Sequence, residues 1–253
     1  MLQSQRCITN GAPIPNFNAN ILGGRSLPAQ RVKPAAILFD VFGTLLDVYS
    51  VQALAEQRFP GHGARIAQLW RDKQLEYTRL RSLSGRYVTF SQVTREALEY
   101  TCEALRLDAG ASALDELVHL YDALPPFPEV HEVLETLQAR EIPLGVLSNG
   151  EGPLLERCLG AANLRARFTH VLSADAVRVF KTAAPVYQLG VDAVGRPARD
   201  ILFVSSNGWD ACSATAFGYT SCWINRSGAP RERLGAVPQT TGADLRAVLA
   251  AID

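Results

Sequence analysis

The sequence predicts an α/β protein, a doubly wound parallel sheet with an all-helical segment inserted after its first strand. Three observations predict it. The run AAILFD (35–40) is apolar up to its last residue and strand-length, like a strand buried on both faces of a parallel sheet. Residues 51–124 carry helical patterns only. From about residue 128 onward, strand-length apolar runs alternate with helical patterns, which argues a parallel sheet covered on both faces. A chain of 253 residues can bury a core of this kind, as one large domain or as a core with a smaller insertion.

Taken in order, residues 1–33 mix Asn, Gly, Pro and Gln without periodicity and lack the apolar centre of a secretory signal. A flexible extension without catalytic role is expected there. Residues 34–47 and 126–253 form the expected core domain, and residues 48–125 the expected helical cap. Within the cap, helical patterns cover 51–58, 64–83, 91–106 and 112–124, separated by the turn signals PGHG and SLSGRY. Ser91 and Ser112 stand as N-cap candidates. The breaker PPFP (125–128) closes the block. The alternation then reads PEVHEVLETLQAR as helix, IPLGVLSNG as strand, GPLLERCLGAANL as helix and FTHVLS as strand. It continues with TAAPVYQLGVDAVG as helix, capped by Thr182, DILFVSSNG as strand, DACSATAFG as helix and TSCWINR as strand.

Composition narrows the function classes. The chain is 47% hydrophobic and 20% charged, with 25 basic and 25 acidic residues, so nothing points to nucleic acid or an anionic membrane as partner. No apolar run has transmembrane length. The cysteines (Cys7, Cys102, Cys158, Cys212, Cys222) are odd in number, widely spaced and free of any C-x-x-C. They read as buried reduced thiols of a cytoplasmic protein, with neither a zinc site nor a disulfide framework. His62, His119, His131 and His170 fall outside every motif.

In open parallel sheets, ligands bind beyond the carboxyl ends of the strands. Asp40 stands at the first such end, followed by a sharp turn at Gly43-Thr44. The next is Ser148-Asn149-Gly150. The RVFK stretch ends at Lys181, and the later strand ends at Ser205-Ser206-Asn207, with Asp210 opening the following helix. Any one of these is an ordinary helix cap. Four on one rim read as a site. Arg71 joins them from the cap: its helical neighbours Ala67, Gln68, Gln74 and Leu75 include no acid, so it is expected to point at the core.

The set D-x-x-G-T, S-N-G, K and S-S-N-x-x-D resembles the haloacid dehalogenase superfamily. The stretches FDVFGTLLDVYSV, WRDKQLEYTRLRSLSGRYVTF and ILFVSSNGWDACSATAFGYTSCWINR resemble its (S)-2-haloacid dehalogenases, the type II enzymes, and the likeness runs from about residue 34 to the C-terminus. It implies a Rossmann-like core, a helical cap, no metal or other cofactor, and a homodimer. The implied partners are a small 2-haloacid, water and halide.

The resemblance also implies roles. Asp40 attacks C2 of the substrate in line and displaces halide, giving an ester on the enzyme. Lys181 keeps that carboxylate ionised, and a water positioned by Asp210, Ser205 and Asn207 attacks the ester carbonyl. Inversion at C2 follows, because carbon is attacked once. Arg71, Asn149 and the edge of Trp209 cradle the halide. Ser148, Thr44 and backbone N–H groups of the loop after Asp40, beginning at Val41, hold the substrate carboxylate. Phe42, Leu75, Phe90 and Trp209 line the alkyl pocket, and Tyr187 contacts the lysine region.

Phosphatases that resemble this set carry a second acid two residues after the nucleophile, and an Asp in the last motif that binds magnesium. Here those positions hold Phe42 and Ser206. A halide leaves without a proton, so no general acid is needed at 42, and an apolar ring there walls a dry pocket. A phosphatase reading predicts acids at both positions, and an inert scaffold predicts erosion of the rim groups; neither matches. A fluoroacetate-preferring dehalogenase would share the same machinery. Three departures from the family pattern stand out: Phe42 replaces the usual Tyr, Thr182 the usual Pro, and Asp72 the usual Gln. Facing the pocket, Asp72 would repel a carboxylate substrate; facing solvent, it changes nothing.

Overall fold

Strand β1 (Ala36–Phe39) is buried along its whole length because it is central in its sheet. It pairs in parallel with β2 (Leu144–Ser148) on one edge, in register Ile37 to Leu144, and with β4 (Ile201–Ser205) on the other, Ala36 to Ile201. With β3 (His170–Ser173), β5 (Thr220–Ile224) and β6 (Thr240–Gly242) the order is β3-β2-β1-β4-β5-β6, parallel throughout. The computed structural model describes residues 34–252. The N-terminal extension, and Cys7 within it, lie outside the described residues. The remaining four cysteines are free and buried. No helix among the described residues is long and apolar enough to cross a membrane.

Between β1 and β2 lie α1 (Val51–Arg58), α2 (Gly63–Leu83), α3 (Phe90–Ala104) and α4 (Ala111–His119), then α5 (Val130–Ala139). The crossovers that follow are α6 (Gly152–Ala161), α7 (Ala184–Val194) and α8 (Gly208–Phe217), and α9 (Ala247–Ile252) ends the chain. After β3 the chain returns past β1 to build β4. The strand order therefore reverses at β1, and a crevice opens beyond its carboxyl end.

The helical insert packs around α2 and α3. Trp70, 1% exposed, donates its indole N–H to Thr94 O at 2.7 Å and so locks the pair. The insert leaves and rejoins the core through a short antiparallel contact. Asp47 N–H bonds Pro125 O at 2.9 Å, and Phe127 N–H bonds Leu45 O at 3.0 Å. Opposite this hinge, Tyr87 donates to Asp175 Oδ1 at 2.8 Å, Ser91 bonds the Glu151 carboxylate, and Ser82 Oγ accepts from Phe180 N–H at 3.0 Å.

Several local expectations are corrected. Helix α3 is capped by Thr89, whose hydroxyl accepts from Gln92 N–H, and not by Ser91. Ser91 sits inside the helix and spends its hydroxyl on the core instead. Helix α4 starts after Gly110, one residue before Ser112 could cap it. Ala183 rather than Thr182 precedes α7, without a side-chain cap; Pro185 in the first turn has no N–H to satisfy. RVFK is not a strand: a 3-10 turn (Ala174–Val177) and Arg178 at φ 54° deliver Lys181 on a loop. Strand β6 and helix α9 were not anticipated, because a three-residue polar edge strand carries no alternation to read.

Gly190 on α7 marks a close contact between helix and sheet. A Cβ built there would stand 2.2 Å from Tyr219 OH and 2.5 Å from Leu38 Cδ1. Tyr219 cannot easily retreat, because it donates to Tyr187 O at 2.6 Å. Glycine inside a helix costs about 1 kcal/mol relative to alanine. Overpacking costs about 1–3 kcal/mol, so it wins here. Gly190→Ala should lower the urea unfolding midpoint with an unchanged m value, and a midpoint equal to or above wild type would refute the packing argument.

Candidate active site

Asp40 follows β1 directly, and the next residues coil into a tight turn. Val41 O accepts N–H bonds from Thr44, Leu45 and Leu46 at 3.0–3.2 Å, and Gly43, at φ 90°, returns its own N–H to Leu46 O. That conformation favours glycine because it needs no Cβ. The turn aims Thr44 back at the strand end. Its hydroxyl donates to Asp40 Oδ2 at 2.9 Å and accepts from Ser206 N–H at 2.8 Å. Ser206 Oγ in turn donates to Gly43 O. The residue standing where a magnesium ligand would be expected thus holds the turn.

Beyond β4, Asn207 sends Nδ2 to Asp40 Oδ2 at 2.9 Å. Asp40 Oδ2 therefore receives two donors, while Oδ1 receives Lys181 Nζ at 3.0 Å. Lys181 also bonds Asp210 Oδ2 at 2.8 Å, and Tyr187 OH donates to Asp210 Oδ1 at 2.7 Å. Lys181 is 2% exposed and Asp210 fully buried. Burial alone would lower the lysine's pKa, but the negative charges of Asp210 and Asp40 outweigh it and hold Lys181 above its ordinary value. Burial raises Asp210 above the usual carboxylate range; Lys181 offsets part of that and the Asp40 charge adds to it. Burial first, and Asp210 second, push Tyr187 well above its ordinary value, so it remains a donor.

Arg71, 6% exposed, does turn from α2 to the core. Its Nη1 donates to Gln74 Oε1 at 2.6 Å, and Nη2 reaches Phe42 O at 3.2 Å and Asn207 Oδ1 at 3.5 Å. Gln74 is anchored in turn, donating to Thr94 Oγ1 at 2.6 Å. Arg71 and Asn207 face a cleft of about 280 Å³ that continues over Gly43 and Ser206 to Arg226. The Phe42 ring stacks on Phe90 at 5.1 Å and leans on Tyr121 at 5.7 Å, so the loop after Asp40 packs against the cap core. Asp72 is exposed and accepts from Gln68 Nε2 at 3.0 Å on the outer face of α2.

The structure gathers Asp40, Thr44, Lys181, Asn207, Asp210 and Arg71 into one bonded group. Others are placed differently from expectation. Asn149 bonds no arginine; its Oδ1 accepts from Lys181 N–H at 2.8 Å and so fixes the lysine loop. Trp209 is partly buried beneath Arg79, whose guanidinium lies 4.9 Å from the ring. Leu75 lines an outer groove with Asp72, Glu76 and Arg79. Tyr187, 1% exposed, reaches the lysine through Asp210, which both side chains bond. Val41 is wholly buried, Ser148 Oγ accepts from Gly150 N–H at 3.2 Å, and Ser205 Oγ accepts from Asn207 N–H at 3.1 Å. Sequence reasoning assigns no role to Gln74 and Tyr121. The position of Gln74 three residues after Arg71 was the one available signal.

Residues 34–218 match the family model of the haloacid dehalogenase-like hydrolases. The chain is 46% identical over 213 residues to an (S)-2-haloacid dehalogenase of Pseudomonas sp. (strain YL), covering 84% of this chain and 92% of that protein. It is 43% identical over 209 residues to haloacetate dehalogenase H-2 of Moraxella sp. (strain B), covering 83% and 93%. The crystal structure of the L-2-haloacid dehalogenase from Xanthobacter autotrophicus with covalently bound chloropropionic acid superposes with a TM-score of 0.81. It has 35% identity and covers 87% of this chain and 98% of that one. On the sheet order, the site and these relatives together, the chain belongs to the haloacid dehalogenase-like hydrolases and, within them, to the (S)-2-haloacid dehalogenases.

Proposed function

We propose that this enzyme hydrolyses short (S)-2-haloalkanoic acids to (R)-2-hydroxyalkanoic acids through an ester on Asp40, without a metal ion. The observation that carries the reading is the Asp40–Lys181–Asp210 array, with the Phe42 ring where a general acid would otherwise stand. Asp40 Oδ1 accepts one hydrogen bond from the described residues, from Lys181, and keeps a lone pair for attack. That pair forms the bond to C2 as the carbon–halogen bond breaks, and halide leaves with its electrons, next to Arg71. Oδ2 then becomes the ester carbonyl oxygen, already facing Thr44 Oγ1 and Asn207 Nδ2. These two donors act as an oxyanion hole when water attacks Cγ.

Asp210 takes the proton from that water. Its raised pKa makes it a better base than an exposed aspartate. Collapse of the tetrahedral adduct breaks the Cγ–Oδ1 bond, the departing oxygen takes a proton, and the 2-hydroxy acid leaves. One proton and one halide are released per turnover. The Lys181 ammonium lies between the two carboxylates, where a cation would bind. Among the described residues no group of three His, Cys, Asp or Glu side chains could hold a metal ion.

In this reading Ser148 and backbone N–H groups near Val41 receive the substrate carboxylate, because the single Thr44 hydroxyl proton is held on Asp40 Oδ2. Arg71, with Asn149 and Trp209, receives halide, while Phe42 and Phe90 face the alkyl group. The solvent-facing Asp72 leaves a carboxylate substrate unopposed. A haloacetate preference is the second reading, and it rests on the Moraxella relative; the ratio of kcat/KM for chloroacetate and (S)-2-chloropropionate decides between them. The free buried cysteines support a cytoplasmic protein. Leu80 and Leu83 on α2 and Tyr100 on α3, exposed by 52%, 85% and 41%, support a homodimer formed through these helices.

Halide release should occur from (S)- but not (R)-2-chloropropionate, continue in EDTA, and vanish in Asp40→Asn. Cleavage of a phosphate ester only with magnesium, and no halide, would defeat the reading. Because Asp210 lies above its ordinary 3.8, its basic form is lost as pH falls, from a higher pH than for a free aspartate. Ester should therefore accumulate on Asp40 at mildly acid pH, and at all pH values in Asp210→Asn, seen as the mass of the 1-carboxyalkyl adduct. Lys181 lies above 10.5, so no alkaline loss below that pH should come from it. Sedimentation equilibrium should give a dimer for wild type and a monomer for Leu83→Glu; a wild-type monomer would refute the α2–α3 interface.

A further inference from the structure

Arg226, just past β5, lies at the far end of the cleft from Arg71 and belongs to none of the groups assigned above. Its Nη2 donates to Thr44 O at 2.9 Å, and its Nη1 donates to Glu129 Oε1 at 2.6 Å. The guanidinium carbon lies 3.7 Å from the centre of the Phe127 ring. These contacts fall on two segments: the turn that follows Asp40, and the stretch by which the chain returns from the helical insert to α5.

Glu129 is 4% exposed and held independently, because its Oε1 also accepts from Leu245 N–H at 3.2 Å. Arg226 therefore pulls on Thr44 from a fixed point. At the other end of Thr44, the hydroxyl bonds Asp40 Oδ2 and Ser206 N–H. The carbonyl and hydroxyl of one residue are thus pinned from opposite sides, and Thr44 cannot rotate without breaking one set. The Arg226 Nε–H is buried without an acceptor among the described residues. Such a group costs free energy, so the placement is set by the Nη contacts and the ring and not by optimal pairing of the whole guanidinium. A planar fork can serve two acceptors at fixed separation, which a lysine cannot.

We propose that Arg226 is a positioning residue for the nucleophile: by holding Thr44 O against Glu129 and Phe127, it sets the orientation of the Asp40 carboxylate and couples it to the hinge of the insert. The inference rests on the reaction proposed above.

The test is steady-state halide release and single-turnover adduct formation, with urea unfolding, for Arg226→Gln, Arg226→Lys and Glu129→Gln. Misplacing a reacting group by about 1 Å costs about 100-fold, so Arg226→Gln should lose about that much kcat, with KM within about threefold of wild type. Adduct formation should slow in parallel. Arg226→Lys, which reaches one acceptor, should recover about tenfold of that loss, and Glu129→Gln should lose less than Arg226→Gln. A folded Arg226→Gln with kcat within about twofold of wild type overturns the proposal, as does a change confined to KM or to the unfolding midpoint. Should Arg226→Gln fail to fold, Arg226→Lys decides on the same criteria. Absence of halide from wild type overturns the proposed reaction and this inference with it, whereas halide from wild type with unaffected variants overturns the inference alone.

Discussion

The structure depends on one buried cation between two carboxylates. Lys181 Nζ lies 3.0 Å from Asp40 Oδ1 and 2.8 Å from Asp210 Oδ2, with almost no solvent contact. Bringing such ions out of water costs on the order of several kcal/mol each, and mutual attraction repays it only with good geometry and further hydrogen bonds. Those bonds come from Thr44, Asn207 and Tyr187. The array still carries one net negative charge at the carboxyl end of β1. That surplus is what the proposed reaction draws on, with Asp40 as nucleophile and Asp210 as base in the same dry place.

The demand for geometry explains much of the surrounding architecture. The three charges arrive on three separate segments: the turn after β1, the loop before α7 and the first turn of α8. Each is fixed by main-chain bonding. Gly43 closes the first turn, Asn149 accepts from the Lys181 N–H, and Asp210 N–H bonds Asn207 O at 3.0 Å. The reversal of strand order at β1 brings the first and last of these together across adjacent strands. The insert adds Arg71 from above, itself fixed through Gln74 and Thr94 to α3.

The class of fold was legible because β1, β2 and β4 are buried on both faces and read as continuous apolar runs. The charged array was legible because its members stand at strand ends or in recognisable motifs. What escaped is set by three-dimensional approach. Thr89 and Ser91 offer the same chemistry, and only the path of the chain makes one a cap and the other a link to Glu151. Asn149 reads as an anion ligand in sequence, and its further role in holding the lysine loop through Oδ1 depends on which backbone N–H comes near it. Arg226 was one of many arginines in sequence; its distinction is the distance to a carbonyl 182 residues earlier. Strand β6 needs a partner edge to exist at all, so nothing local announces it.

The hinge at Leu45–Asp47 and Pro125–Phe127 has a wider consequence. Chain entry and chain exit lie side by side, joined by two hydrogen bonds and a single bridge between Leu46 and Pro126. From the standpoint of the sheet, everything between them is one long surface loop with adjacent ends. The entropy of closing such a loop grows only logarithmically with its length. The sheet thus places almost no thermodynamic constraint on how large the intervening block is. Such a joint lets the insert grow, shrink or be remodelled while the sheet and the charged array at its strand ends keep their places.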